Sequence, residues 1–314
     1  MSDTTTTAPV PATRTPSAGT GPPRPRRRGS GVWPLVFAGP LVTGVVVFYF
    51  WPILQNAGFS FTDFGVFGGA TFAGLDNYAR LLADPLLYRS LLNTLLYTAL
   101  SLLAIPLAVY LASLLNRPGL RFAALYRVLF LMPYVAMPTA IGVVWRAILG
   151  GDFGILNGAL RVVGIDGPYW LSDPSVVIVA VAIVGVWSIL GFAMIVVSAA
   201  LRTIPVEIYE AAELDGASRW RQLVSITVPQ IVPTIAFLGV IVVITGFQLF
   251  DLLFVLVGPD SPVILPNMSL VFFFYQSGFV YDDRGYAAAI AMLIFVVIGV
   301  LTYLQLALQR RWNR

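Results

Sequence analysis

The sequence predicts an all-α membrane protein with six transmembrane helices and both ends on the cytoplasmic side. Three observations predict it. Of 314 residues, 58% are hydrophobic and 11% charged, about half the usual ~25% charged share, and a water-soluble domain has no means of burying that much apolar surface. Six apolar runs are each long enough to cross a hydrocarbon core of ~30 Å, which takes ~20 residues. The basic residues, all of them Arg, sort by membrane side.

Taken in order, residues 1–31 are rich in Thr, Pro, Gly and Arg, with little to bury, and are expected to be disordered. Arg24, Arg26, Arg27 and Arg28 stand just before the first apolar run, as a cytoplasmic topology anchor that also meets anionic lipid. That run is too long for a signal-peptide core and lacks a convincing small-residue cleavage site, so it reads as a retained helix. Residues 32–314 form the membrane domain. Its expected spans are Val32–Ile53, Leu91–Leu115, Leu125–Leu149, Val176–Leu201, Ile231–Val257 and Tyr286–Leu308. With the N-terminus inside, 14 Arg fall on the cytoplasmic side and five outside (Arg80, Arg89, Arg146, Arg161 and Arg284), the asymmetry expected for N-in and C-in. Trp33, Trp51, Trp145 and Trp170 lie near span ends, as an aromatic belt requires.

Polar groups inside the spans are few. Asn93, Thr94 and Tyr97 lie in the second, Trp187 and Ser188 in the fourth, and Thr245, Gln248 and Asp251 in the fifth. Gln248 and Asp251 are spaced to share a helix face. From the residues alone they are either the lining of a solute pathway or interhelical hydrogen-bonding groups. Pro106, Pro133 and Pro138 loosen the second and third spans, as packing kinks or as moving parts.

The charged elbow between the fourth and fifth spans, residues 202–230, holds the chain's three Glu, Glu207, Glu210 and Glu213. Pro205 suits a first helical position, and Glu207 the first turn. Ala211 and Ala212 keep the surface thin. Gly216 is expected to break the helix and Asp215 to cap the next one. Trp220, Leu223 and Val224 are spaced as the apolar stripe of a second short helix. Such an elbow is either a surface shown to a partner in water or an amphipathic loop packed on its own protein.

With no Cys and no His, the chain has no disulfide framework, no cysteine-based metal site and none of the commonest general base. It also lacks a Walker-type nucleotide loop. Energy for uphill work would have to come from an ion or a partner.

The stretch EAAELDGASRWRQLVSITVP (Glu210–Pro229) resembles the cytoplasmic signature of permease subunits of binding-protein-dependent ABC importers: Glu-Ala-Ala, three residues, Gly, nine residues, Ile, any residue, Leu-Pro. The matching positions are Glu210, Ala211, Ala212, Gly216, Ile226 and Val228-Pro229, with Val in place of Leu. GLDNYARLLADP (Gly74–Pro85), NTLLYT (Asn93–Thr98), FLMPYVAMP (Phe130–Pro138), YWLSDP (Tyr169–Pro174) and FQLFDLLFVLVG (Phe247–Gly258) are similar to the carbohydrate-uptake members, in particular the short six-span form of the maltose-type F subunit. The Gly-Gly-Pro-Gly usual after the fifth span is replaced by GPDSPVILPN (Gly258–Asn267).

The resemblance implies a type I ABC importer permease in a bacterial cytoplasmic membrane. It implies a second, different permease subunit, two ATP-binding ABC domains and an extracytoplasmic sugar-binding protein as partners, with ATP and Mg used by the ATPase and no cofactor on this chain. It makes the elbow a coupling helix, through Glu210, Ala211, Ala212, Asp215, Gly216, Ile226 and Pro229. It places sugar contacts at Gly185, Ser188, Ile189 and Phe192 and at Phe247 and Gln248, with Asp251 nearby. The alternatives left open are a glycerol-phosphate or polyol permease of the same kind, and an ion-coupled secondary carrier.

Overall fold

The computed structural model describes residues 33–64, 69–116 and 119–312. The tail, with its Arg cluster, lies outside them. The chain divides into two compact units, residues 1–52 and 53–314.

The first unit holds α1 (Trp33–Val45) and a π-helical turn (Val46–Phe50), and α2 (Trp51–Phe59) starts at its end. Its side chains from Val36 onward, Phe48 and Tyr49 among them, are largely exposed, which suits contact with lipid.

In the second unit, a two-residue antiparallel ladder pairs β1 (Thr62–Asp63) with β2 (Thr71–Phe72). Then come α3 (Asp76–Ala83) and α4 (Pro85–Ser101). Asp84 starts α4 by accepting the Leu86 amide at 2.8 Å, with Pro85 at the first position. The other Asp84 oxygen accepts the Tyr286 hydroxyl at 2.8 Å, Arg80 lies over the Tyr286 ring, and Arg80 pairs with Asp283 at 2.5 Å. This cluster ties α3 and the start of α4 to the start of the helix that begins at Arg284. A break at Leu102–Leu103 leads into α5 (Ala104–Leu115), because Pro106 has no N–H to return to the Leu102 carbonyl.

The third expected span is broken. α6 (Ala123–Val135) and α7 (Pro138–Leu149) meet at 100° across Ala136 and Met137, since the residue before Pro138 is held extended. Outside the spans, α8 (Ile155–Val162) precedes the Asp173 turn, in which Oδ1 accepts both the Ser175 hydroxyl at 2.7 Å and its amide at 2.8 Å. These bonds, the hydroxyl's first, hold the Asp173 carboxyl below the usual range.

α9 (Val177–Leu201) is the central helix, apolar all round and packed against α4, α5 and α6. Ala104, Ala108 and Ala112 of α5 are fully covered. Between apolar helices in lipid, small residues at this spacing allow the close approach on which packing depends. At Gly191 the approach is closest: a Cβ there would overlap the Phe130 carbonyl of α6.

The elbow holds α10 (Val206–Leu214), α11 (Arg219–Gln222), a π turn (Leu223–Thr227) and α12 (Val228–Gln230), followed by α13 (Val232–Phe247) at 74°. The fifth expected span also breaks, near its C-terminal end. Gln248 closes α13, Phe250 leaves helical geometry (φ −141°), and α14 (Asp251–Leu256) starts anew. Gln248 and Asp251 therefore do not share a helix face. After Gly258 (φ 90°) come α15 (Ile264–Asn267) and α16 (Leu270–Tyr275). They are held on α4 by Asn93, which donates to the Pro266 and Met268 carbonyls, and by Thr94, which accepts the Leu270 amide at 3.0 Å. A third π turn (Gln276–Val280) leads to α17 (Arg284–Trp312).

Among the described residues, four helices are long and apolar enough to cross a membrane: Val36–Phe59, Pro85–Leu115, Val177–Leu201 and Arg284–Arg310. The bent pairs Ala123–Val135 with Pro138–Leu149 and Arg219–Gln230 with Val232–Phe247 bring the number to six if each counts as one span.

Candidate functional site

The buried apolar side chains form two clusters. One gathers Val181, Val184, Phe247, Leu253, Phe272 and Ile290. The other gathers Ala108, Leu190, Met194, Val197, Ile231 and Leu238. α9 runs through both, and between Val184 and Leu190 a cavity of about 240 Å³ opens beside it. Its polar lining is made of hydroxyls: Tyr97 and Ser101 of α4, Tyr134 of α6, Ser188 of α9 and Thr245 of α13.

Two of the hydroxyls are held by their own helices. Ser188 donates to the Val184 carbonyl at 2.8 Å, and Thr245 to the Ile241 carbonyl at 2.9 Å, one turn back in each case. Tyr97 lies over Gly185, where a Cβ would collide with its hydroxyl. Gly246 likewise makes room for Thr98, whose Oγ1 would stand 2.5 Å from a Cβ. The α6–α7 break supplies a further wall, with Pro133, Ala136 and Pro138, and Tyr134 stacks on Phe192 with ring centres 4.8 Å apart.

Of the residues expected along a solute path, Gly185, Ser188 and Ile189 line the cavity. Phe192 stands behind Tyr134. Phe247 is 1% exposed and belongs to the core. Gln248 and Asp251 are exposed at the α13–α14 break, and Leu252 lines the cavity instead. The wall from α6 was missed in the sequence, although the prolines of FLMPYVAMP mark it. Tyr97 and Thr245 stood out only as polar residues in apolar spans.

The elbow is closed internally. Tyr209 and Thr227 share a hydrogen bond between their hydroxyls at 2.9 Å, and Gln222 donates to the Ala217 carbonyl at 3.1 Å. α10 ends in a Schellman turn: the Ala217 amide donates to the Ala212 carbonyl at 2.9 Å and the Gly216 amide to the Glu213 carbonyl at 3.0 Å. Gly216 sits at φ 70°, which explains the glycine. Three local expectations need correction. Pro205 precedes the first helical residue, because its ψ of 135° makes it the cap position. Asp215 closes α10, while Ser218 caps α11 by accepting the Arg221 amide. Of the expected stripe, Leu223 packs partly buried against the second cluster while Trp220 and Val224 are exposed, and the π turn from Leu223 brings Gln222 and Thr227, five residues apart, to the inward face. Glu207, Glu210, Ala211, Glu213 and Pro229 are exposed, Ile226 is half-buried, and only Ala212 is covered. Leu214 is 90% exposed and Trp220 67%.

Among the described residues, no group of three or more Asp or Glu is placed to hold a metal. A helical membrane chain with a hydroxyl-lined cavity between two apolar cores defines a membrane permease. Residues 104–314 match the family described as binding-protein-dependent transport system inner membrane component. The chain belongs to that family and is a multi-pass membrane protein. It is similar to the arabinooligosaccharides transport system permease protein AraP of Bacillus subtilis, 30% identical over 277 residues and covering 88% of each chain. It is also similar to the lactose transport system permease protein LacF of Rhizobium radiobacter, 30% identical over 86% of this chain and 91% of that one. A third relative is the diacetylchitobiose uptake system permease protein NgcF of Streptomyces coelicolor, 30% identical over 99% of this chain and 92% of that one. Among solved structures, it matches a bacterial ABC transporter involved in import of the acidic polysaccharide alginate, with a TM-score of 0.77 and 25% identity over 90% of this chain and 97% of that one. The fold is that of a type I ABC importer permease.

Proposed function

We propose that this chain forms half of the translocation pathway of an ATP-driven sugar importer. It crosses the membrane six times, with both ends in the cytoplasm, beside a second permease subunit. Two ATPase domains sit below, one of them docked on this elbow, and an extracytoplasmic binding protein delivers the sugar from above. The sugar passes through the cavity at Gly185, Ser188 and Thr245.

The observation that carries this reading is the exposed elbow. A loop packed on its own protein would cover Leu214 and Trp220. Here both stand out beside Glu207, Glu210 and Glu213, so the surface suits a partner that is apolar and basic in part. The Gly216 turn and the Tyr209–Thr227 bond hold that surface in one shape, as transmission of force between subunits requires. The curated relatives, named for arabinooligosaccharide, lactose and diacetylchitobiose uptake, support the sugar. A related transporter solved with a periplasmic protein bound to an alginate pentasaccharide supports the binding protein.

The test is gentle solubilisation and capture of this chain. A second permease and an ATP-binding subunit are expected to co-purify. Glu210→Lys, which reverses a charge on the docking face, and Gly216→Pro, which forbids the positive φ, should each release the ATPase while the chain still inserts. Retention of the ATPase and of ATP-driven uptake in both variants would defeat the coupling role.

A further inference from the structure

The cavity lining names the class of sugar. Resting on the reading of this chain as a sugar permease, we infer that it selects neutral saccharides and rejects uronates, with Ser188 and Thr245 as the selecting residues. Three observations lead there.

The first is the direction of the hydrogen bonds. A carbonyl oxygen has no proton to give, so the contacts of Ser188 with the Val184 carbonyl and of Thr245 with the Ile241 carbonyl require both hydroxyls to donate backwards. What they offer the cavity is lone pairs. A neutral sugar has hydroxyl protons to place on them, whereas a carboxylate group finds no proton at these two positions; the Tyr97, Ser101 and Tyr134 hydroxyls that complete the lining are neutral donors and bring no counter-charge.

The second is charge. No lining residue carries a formal charge. Along the lining helices the nearest basic residues, Arg89, Arg127 and Arg146, stand at least five residues from any lining position. Arg127 is already engaged by the Leu115 carbonyl and the Asn116 side chain. The charge adjoining the lining is Asp251, next to Leu252. An anionic sugar would lose its hydration without a counter-charge and would approach a carboxylate, both of which are costly.

The third is the apolar remainder. Tyr134 stacked on Phe192, with Ile189, Val242 and Leu252, suits the C–H faces of a neutral ring. A protein of the same fold imports the acidic polysaccharide alginate, so the backbone architecture does not impose the selection. The side chains on it do.

The experiment uses the complete importer in proteoliposomes, with ATP on the elbow side. Labelled lactose, arabinobiose and diacetylchitobiose are compared with di- and trigalacturonate. One or more of the neutral sugars should be taken up and neither galacturonate. Thr245→Val and Ser188→Ala should each raise KM for the neutral sugar by roughly 2- to 10-fold, the effect of one lost hydrogen bond. Thr245→Ser should restore KM. Uptake of a galacturonate with a kcat/KM like that of the neutral sugars would overturn the inference and leave the sugar permease standing. Unchanged KM in both hydroxyl variants would also overturn it. If ATP is hydrolysed and no sugar of either charge enters, the sugar reading itself fails and the inference falls with it.

Discussion

Gly185 occupies its place because of Tyr97. A methyl group at Gly185 would meet the Tyr97 hydroxyl and lie 3.0 Å from its ring, and the open space beside the ring is the cavity it lines. Gly185→Ala should therefore push Tyr97 into the cavity. Sugar uptake is expected to fall several-fold while the assembled complex is recovered in normal yield, which separates a blocked cavity from a misfolded chain. Asp173 makes a residue-scale prediction about pH. Its folded carboxyl is held below the ordinary value of about 3.9, so its contribution to the start of α9 is present above that value and is lost as pH falls through the lower, folded one. Amide exchange at Ser175–Val177 should quicken as the pH drops into that window. Ser175→Ala, which removes the larger of the two hydrogen-bond effects, should move the onset to higher pH.

At the scale of elements, backbone contact decides more than side-chain burial. α6 rests on α9 at Gly191, where a Cβ would overlap the Phe130 carbonyl, and a backbone carbonyl cannot turn aside as a side chain can. Gly191→Ala should destabilise the protein by ~1–3 kcal/mol, measured as a lower midpoint of thermal unfolding in detergent. Gly299→Ala is the control, since nothing lies within 4 Å of a Cβ at Gly299 and Ala is the better helix former. Both breaks fall inside runs expected to be single spans, but only one of them leaves a mark in the sequence. Pro133 and Pro138 announce the α6–α7 break, because a missing N–H and a restricted preceding residue can be read from sequence. The break at Gln248–Phe250 has no proline. It follows from the way Phe247, Leu249 and Leu253 bury themselves among Phe272 and Ile290, and such packing has no local signature.

For the whole molecule, the prediction concerns the way it sits in the membrane. The chain contains no Cys, so single cysteines can be introduced without background. Glu210→Cys should react with a membrane-impermeant maleimide only from the cytoplasmic face, and Val162→Cys, at an 87% exposed site, only from the outer face. The reverse pattern would overturn the N-in, C-in arrangement and the docking of an ATPase on the elbow with it. Labelling of both from one side would change the number of crossings.

What the sequence by itself determined was the class of protein, the central span Val177–Leu201 and the elbow. The composition forced the chain into a membrane, the unbroken apolar run had no other stable form there, and a signature anchored on Glu210, Gly216 and Pro229 survives in linear order because the turn it encodes is local. Only the tertiary structure decided which polar groups share a cavity. Tyr97, Tyr134, Ser188 and Thr245 come from four helices far apart in the chain, and their meeting depends on glycines at crossing points and on the α6–α7 bend. It also withdrew Phe247 into the core and set Gln248 and Asp251 at a break in place of a common helix face. Helical periodicity describes a side chain's direction only while the helix continues, and this one stops at Phe247.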